Sequence, residues 1–274
     1  IRIIIRMDIK GPNLVKGIHM EGLRVLGKSE DFAEYYYKNG ADELIYQDVV
    51  ASLYERNSLF ELVKKTANAI SIPLTVGGGI RNIDDISKLL ESGADKVSLN
   101  TSAIKDPKLI DQAARKFGSS TIVVAIETLK NDNEKYLAYT DNGREFTGVD
   151  TLNWSKEVES RGAGVILLTS IDKDGTGEGF DEDLIYNVSK NLKIPLIAHG
   201  GAGNHKHVVN VIKKGNVDAV ALASLIHYSS FNLIKRKKAI LNEGNVEFLS
   251  KHKKFKSFEK LTIKSLKKKL IKKN

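Results

Sequence analysis

The chain has 274 residues, 41% of them hydrophobic, which is enough for one large α/β domain or two smaller ones. No apolar run approaches the ~20 residues of a membrane span, and no cysteine is present for disulfides or thiolate metal sites. The net charge of +9 comes from one end, since residues 234–274 hold 15 of the 43 lysines and arginines but only three acids. We therefore expect a cytoplasmic protein with a mildly acidic body, for which nucleic acid is an unlikely general partner.

Eight short apolar runs, separated by helical patterns, predict the strands. They are Arg2–Asp8, Glu43–Asp48, Pro73–Gly77, Asp95–Leu99, Thr121–Glu127, Val165–Thr169, Pro195–His199 and Val217–Leu222. Continuous rather than alternating apolar runs are typical of a parallel sheet that is covered on its outer face. This order predicts an α/β protein with a single closed (β/α)8 barrel of the TIM type over residues 1–274.

Several predicted helices have a capping residue before them and a glycine after them. Ser29 precedes Phe32–Asn39, Asn82 or Asp84 can cap Ile86–Ser92, and Asp106-Pro107 opens Lys108–Phe117. The remaining predicted helices are His205–Lys214, which follows Asn204, and a basic C-terminal helix, Thr262–Lys273.

Two glycine-rich turns repeat at a nearly constant distance along the chain. Ile72–Asn82 carries Gly78-Gly79, and Ile194–Asn204 carries Gly200-Gly201 at an offset of 122 residues. Asp95 and Asp218 are 123 residues apart, and Asp8 and Glu127 are 119 apart. The repeat predicts two half-barrels, about 1–119 and 120–230, each with a glycine turn suited to an anion.

Polar residues follow the predicted strands at their carboxyl ends, where chemistry lies in such barrels. Strands one and five face each other in a ring of eight, so Asp8 should confront Glu127 across the mouth. Such a pair suits acid/base catalysis if the surroundings separate the two pKa values, although a helix or loop cap is the alternative for each acid. Lys16, in the predicted loop after strand one, could fold over a ligand or remain solvated. The spacing of the histidines predicts no metal site.

These segments resemble the HisF family, the cyclase subunit of imidazole glycerol phosphate synthase, over most of the chain to about Tyr228. The matching segments are Val15–Gly17, Ala41–Leu44, Thr75–Ile80, Gly93–Thr101, Leu167–Thr176 and Gly200–Gly203. The resemblance implies ammonia supplied by a HisH-like glutaminase on the bottom face of the barrel. It also implies conversion of a bisphosphorylated formimino-carboxamide ribonucleotide to imidazole glycerol phosphate and AICAR, without a cofactor.

The resemblance also assigns residues. Asp8 corresponds to one acid/base carboxylate, and Glu127 stands where the family has an aspartate. The implied substrate and phosphate residues are Lys16, Asp48, Gly79, Asn100, Thr101, Thr169, Asp174, Gly175, Gly201, Ala223 and Ser224. Three members of the family's ammonia gate are present as Arg2, Glu43 and Lys96, and Val165 replaces the fourth.

Residues 231–258 look like an insertion before the last helix. Together with Glu127, Val165 and the segments Leu14–Arg24 and Val49–Leu59, this resembles a HisF-like branch associated with surface-polysaccharide and nonulosonic-acid pathways, in which ammonia would pass to a sugar amidotransferase. We favour that branch on resemblance alone. A polyanion-binding adaptor acting through the basic tail is a third hypothesis, weakened because the last helix can pack one edge on the barrel with its lysines outward.

Overall fold

The computed structural model describes residues 1–50, 57–235 and 258–271. Its strands are β1 (Arg2–Lys10), β2 (Asn13–Ile18), β3 (Glu21–Lys28), β4 (Glu43–Asp48), β5 (Leu74–Gly77), β6 (Lys96–Leu99), β7 (Ile122–Lys130), β8 (Tyr136–Thr140), β9 (Glu145–Asp150), β10 (Val165–Ser170), β11 (Leu196–His199) and β12 (Ala219–Leu222). Its helices are α1 (Ser29–Lys38), α2 (Asn57–Ala69), α3 (Ile83–Glu91), α4 (Thr101–Lys105), α5 (Lys108–Phe117), α6 (Thr151–Ser160), α7 (Glu182–Ser189), α8 (His205–Gly215), α9 (Ser224–Lys235) and α10 (Ile263–Ile271), with a 3₁₀ turn at Ser119–Thr121.

Eight of the strands form a closed parallel barrel. Its neighbours run in the order β1, β4, β5, β6, β7, β10, β11 and β12, and β12 pairs with β1 to close the ring. Helices lie between successive barrel strands, as in a TIM barrel, so all eight carboxyl ends open at one face. The predicted fold class is confirmed.

Two antiparallel hairpins stand on this face and were not predicted. β2 and β3 follow β1, and β8 and β9 follow β7, so corresponding strands of the two predicted half-barrels carry the same addition. The prediction that Lys16 lies in a loop is wrong, because it lies on β2, where its neighbour Val15 pairs with Asp8. β1 and β7 also continue beyond their predicted ends to Lys10 and Lys130, since each pairs with its hairpin.

Five barrel strands begin one or two residues later than predicted, and two of them follow an aspartate that is hydrogen-bonded to the neighbouring strand. Asp95 Oδ2 accepts a hydrogen bond from Leu74 N at 2.8 Å, and Asp218 Oδ2 accepts one from Leu196 N at 3.0 Å. β6 and β12 begin after these aspartates, at Lys96 and Ala219. β5 and β11 begin after a proline, at Leu74 and Leu196, and β7 begins after the 3₁₀ turn, at Ile122. The repeated aspartates bind adjacent strands together at the bottom face.

The core has two layers, one on each side of the barrel wall. Outward residues such as Ile3, Ile5 and Val124 pack against the helices. A smaller apolar cluster fills the barrel interior: Ile4, Ile45, Val123, Ala125, Val165, Leu167, Ile197, Ala219 and Ala221. This cluster separates the open carboxyl face from the bottom face.

The C-terminal helix α10 packs on the barrel through Ile263 and Leu266, which are buried, while Lys268 and Lys269 lie at or near the surface. Residues 236–257, most of the predicted insertion at 231–258, lie outside the described residues, as do the last residues of the predicted helix Thr262–Lys273. Within the described part of the chain, no helix has both the length and the hydropathy to cross a membrane.

Candidate active site

Asp8 lies inside the barrel mouth, where two cations contact its carboxylate. Arg6 Nε donates a hydrogen bond to Asp8 Oδ1 at 3.0 Å, and Lys16 Nζ lies 3.4 Å from Oδ2. Burial alone would raise the pKa of Asp8, but the charges of Arg6 and Lys16 outweigh it and hold the pKa below its ordinary value. Asp8 is therefore a buried carboxylate that stays ionised at neutral pH.

Glu127, on the facing strand β7, has a different environment. Its Oε1 is 3.9 Å from Arg6 Nη2, beyond hydrogen-bond distance, and its Oε2 has no hydrogen-bond partner among the described residues. Burial raises the pKa of Glu127 to about 7, although Arg6 opposes the rise. The structure thus brings the two predicted carboxylates to one mouth and separates their pKa values.

Lys16 reaches the mouth from the first hairpin and spans two acids. Its Nζ donates to Asp174 Oδ2 at 2.8 Å as well as approaching Asp8, and the side chain is buried. Burial would lower the pKa of Lys16, but Asp174 and Asp8 raise it above the ordinary value. The turn of the hairpin is fixed to the same loop, since His19 N donates to Asp174 O at 2.8 Å. The hairpin therefore covers one side of the mouth.

Thr169 and His199 continue the polar floor on the next two strands. Glu127, Thr169 and His199 are partners in register across β7, β10 and β11. Arg6 Nη1 donates to Thr169 Oγ1 at 3.1 Å, and Thr169 Oγ1 lies 3.2 Å from His199 Nδ1. Burial, with help from Arg6 and Lys16, keeps the pKa of His199 well below its ordinary value, so the ring is neutral and Nδ1 can accept from the hydroxyl.

The first predicted anion site lies in an open cavity of about 530 Å³ on the side of β4 to β7. It is lined by Asp48, Gly79, Asn100 and Thr101, which lie at or just after the ends of strands, and Glu127 forms part of its wall. Arg81 and Lys105 also line it and bring cations that an anion needs. The Asn100 Oδ1 and Ser98 Oγ atoms have no hydrogen-bond partner among the described residues, so the wall has polar atoms to offer a ligand.

The second predicted anion site is much smaller. Its residues surround a space of only about 10 Å³: Asp174, Gly175, Gly201, Ala223 and Ser224. Phe258 also lines this space and packs on Tyr228 with ring centroids 5.4 Å apart. The next residue, Glu259, accepts a hydrogen bond from His205 N at 2.8 Å, so the start of α8 is already occupied by a carboxylate of the chain.

The two glycine turns have the geometry that the repeat predicts. Gly78 has φ +103° and Gly201 has φ +104°, which favour glycine. A Cβ on Gly78 would lie 2.2 Å from Asp48 O, and one on Gly201 would lie 2.0 Å from Gly179 O. After the turns, Asn82 caps α3 and Asn204 caps α8 through their side-chain oxygens.

The predicted gate residues lie together at the bottom of the barrel. Arg2 pairs with Glu43 Oε1, and Lys96 Nζ donates to Glu43 Oε2 at 3.1 Å. Val165 is buried in the apolar interior cluster. The ring therefore has two cations and one carboxylate, with a hydrocarbon at the fourth position.

Arg6, which is hydrogen-bonded to both Asp8 and Thr169 in the mouth, was not predicted from the sequence. A signal was present, because Arg6 and Asp8 are two residues apart in a strand and must share one face. Arg81 and Lys105 were also missed, since surface cations on loops and helices rarely stand out in a sequence. Among the described residues, no group of three or more His, Cys, Asp and Glu side chains could hold a metal ion.

Comparison with known proteins agrees with this architecture. A family model described as "Histidine biosynthesis protein" matches residues 2–232. Relatives named "Imidazole glycerol phosphate synthase subunit HisF" include one from Legionella pneumophila, 56% identical over 203 residues, covering 74% of this chain and 96% of the relative. The chain belongs to the HisF family. Other members are those of Methanococcus vannielii, 43% identical with 87% and 95% coverage, and Sulfurisphaera tokodaii, 44% identical with 89% and 96% coverage.

Family membership confirms the resemblance found in the sequence. The relatives' names favour the synthase subunit over an ammonia supplier for a sugar amidotransferase, and the polysaccharide branch stays a prediction. These names also describe a subunit, which implies a partner chain. The roles of individual residues stay predictions.

Proposed function

We propose that the chain is the cyclase subunit of an imidazole glycerol phosphate synthase, a lyase-type enzyme that uses ammonia from a HisH-like glutaminase. Its substrate would be the bisphosphorylated formimino-carboxamide ribonucleotide of the family, and its products imidazole glycerol phosphate and AICAR. The observation that carries this proposal is the pair of facing carboxylates, Asp8 and Glu127, buried in one mouth with opposite pKa shifts.

The pKa shifts assign complementary roles to the pair. Asp8 is ionised near neutral pH and can take a proton, whereas Glu127, with a pKa of about 7, is protonated in a large fraction of molecules and can give one. Ring formation requires both steps, because protons leave the attacking nitrogen while the leaving group gains one. Glu127 lines the large cavity and can meet a substrate there directly.

The phosphates of an elongated substrate would lie at the two glycine turns. The cavity at Gly79, Asn100 and Thr101 already has room for one phosphate and adjoining atoms. The space at Gly201 and Ser224 is small, so the second phosphate requires displacement of the Phe258 side chain. Asp48 lines the same cavity, whereas Lys16 and Thr169 are buried and line neither space, so they would contact the atoms between the two phosphates only if the substrate opens the mouth.

The partner glutaminase would dock on the bottom face, at the ring of Arg2, Glu43 and Lys96. Ammonia would have to enter past an unequal set of charges, because Val165 brings no carboxylate. This arrangement favours neutral ammonia over ammonium, since two cations meet only one anion at the entrance.

The test is turnover of the nucleotide by the purified chain with an ammonium salt as the nitrogen source. We expect AICAR release in the native protein and a loss of about 10²–10⁴-fold in Asp8→Asn, as for removal of a general base. The exposed Asp84→Asn on α3 is the matched control and should retain full turnover. If folded native protein releases no AICAR, the cyclase proposal is wrong, and transfer of ammonia to a sugar amidotransferase becomes the next hypothesis.

A further inference from the structure

Arg6 is a buried cation at the centre of the barrel mouth. It lies on β1 directly above Ile4 of the interior apolar cluster, and only 2% of its surface is exposed. It does not line either anion site. A charge in this place is costly unless its partners satisfy it, so its contacts must account for its presence.

The contacts of the guanidinium are unequal on its two sides. Nε is hydrogen-bonded to Asp8 at 3.0 Å and Nη1 to Thr169 at 3.1 Å, whereas Nη2 is 3.9 Å from Glu127. Nη1 is also 3.4 Å from His199 Nδ1. The planar guanidinium is therefore hydrogen-bonded to Asp8 but lies outside hydrogen-bond distance of Glu127.

Two residues outside the barrel wall fix the backbone of Arg6. His227 Nε2 lies 3.0 Å from Arg6 O, and Tyr36 OH lies 2.7 Å from His227 Nδ1. Burial lowers the pKa of His227 to about 4, so its ring is neutral at physiological pH. Because a carbonyl only accepts, Nε2 carries the proton and Nδ1 accepts from the tyrosine hydroxyl. This relay holds β1 at the level of the guanidinium.

The charges at the mouth also distinguish Asp8 from Glu127. Two cations, Arg6 and Lys16, are in contact with two acids, Asp8 and Asp174, and these four charges balance. Glu127 is a third acid, with no cation within hydrogen-bond distance among the described residues. His199 adds no charge because it is neutral, and Asp48 faces the cavity rather than Arg6.

We propose that Arg6 is a positioning residue that divides the roles of the two carboxylates, by fixing Asp8 as the ionised partner and leaving Glu127 outside its hydrogen-bond reach. The catalytic meaning of this division rests on the proposed function. The division itself is a property of the folded chain and can be measured without substrate.

The experiment titrates Glu127 in protein labelled with ¹³C at the glutamate carboxyl carbons. Its NMR signal is identified as the one that disappears in Glu127→Gln. In Arg6→Met, which keeps the length but not the charge, we expect the titration of Glu127 to move upward by about one pH unit or more, because its main nearby cation is gone. Arg115→Met removes an exposed arginine from α5 as the matched control and should leave the titration in place.

A second readout reports on Asp8. The acid limb of the pH profile for ammonium-dependent turnover should move upward by about 1–3 pH units in Arg6→Met, since Asp8 loses its hydrogen-bonded cation. A purely structural role of Arg6 would lower the rate at every pH without moving this limb. If the protein does not turn over the nucleotide, the cyclase proposal fails and the NMR titration alone decides the role of Arg6.

Arg6→Lys keeps the proposal testable if Arg6→Met does not fold. A lysine ammonium can take the place of Nε beside Asp8, but it ends short of the position of Nη2. We therefore expect the acid limb to stay near its native position while the titration of Glu127 moves upward. An unchanged titration of Glu127 in the folded variants would overturn the proposal.

Discussion

Asp8 and Glu127 occupy corresponding places on β1 and β7, and each strand continues into an antiparallel hairpin. The first acid is enclosed by Arg6 and by Lys16 of its own hairpin. The second lies 3.9 Å from Arg6, outside hydrogen-bond distance, and its Oε2 atom lacks a hydrogen-bond partner among the described residues. Corresponding strands therefore carry a carboxylate that is ionised at neutral pH in one half of the barrel and a carboxylate with a raised pKa in the other.

The charges at the bottom of the barrel are also distributed unequally between the two halves. Arg2, Glu43 and Lys96 all come from strands of the first half, and the second half contributes Val165. The two anion sites differ in volume. The cavity at Gly79 has about 530 Å³, whereas the space at Gly201, beside Phe258, has only about 10 Å³. Corresponding strand positions thus constrain where side chains lie but not their protonation or the space around them.

The largest expected difference between the halves is in stability. Asp8→Asn leaves Arg6 buried without its hydrogen-bonded anion, and we expect it to lower the free energy of unfolding by about 3–5 kcal/mol. Glu127→Gln breaks no ion pair within hydrogen-bond distance and should cause no such loss at pH 7.5. Urea denaturation of both variants and the native protein measures the difference, and equal losses would show that the two carboxylates are equivalent.

The second prediction uses the titration of Glu127. Its folded pKa of about 7 lies above the ordinary value of 4.5, so the folded state holds this proton more tightly than the unfolded state. Below about pH 4.5 both states are protonated, and as the pH rises from there through 7 the folded state loses stability. Glu127→Gln removes this loss, so its stability relative to native protein should increase by on the order of 3 kcal/mol between pH 4.5 and 8.5. A constant difference over this range would contradict the raised pKa.

The sequence predicted the barrel because local patterns and the tertiary fold agree. Apolar runs at Glu43–Asp48 and Val165–Thr169 and the caps at Asn82 and Asn204 act through neighbouring residues. The hairpins escaped prediction, since their strands carry charges and glycines, as in Glu21–Lys28. They are attached to the barrel by the pairing of β2 with β1 and of β8 with β7 rather than by apolar alternation.

The site could be predicted in position but not in electrostatics. Strand ends placed Asp8, Glu127 and the glycine turns at one mouth, because the topology of a closed barrel requires it. Both acids are buried, and which of them has a raised pKa depends on their cations: Arg6 lies about 1 Å closer to Asp8 than to Glu127, and Lys16 contacts Asp8. A one-dimensional pattern does not contain such distances, nor the packing of Phe258 beside Gly201.

The third prediction compares the two anion sites. Inorganic phosphate should bind first in the open cavity, where Arg81 offers a charged donor, and Arg81→Met should weaken this binding about tenfold, corresponding to the loss of one charge-assisted hydrogen bond. Lys206→Met, on an exposed residue beside the other glycine turn, is the control and should have little effect. Calorimetric titration with phosphate at fixed ionic strength measures both. A greater loss in Lys206→Met would place the first phosphate in the other half.

The smallest effect is expected at the bottom ring. Arg2 is paired with Glu43, but 36% of its side chain is exposed, so water screens the pair and Arg2→Met should cost less than about 1 kcal/mol of stability. Glu43→Gln should cost more, because Glu43 is buried and its loss leaves both Arg2 and Lys96 without their anion. Thermal or urea unfolding of the two variants gives this order. If Arg2→Met were the more damaging change, the stability of the ring would depend on the exposed cation rather than on the buried carboxylate. The bottom ring would then differ from the mouth, where the ion pair of Arg6 and Asp8 is buried on both sides.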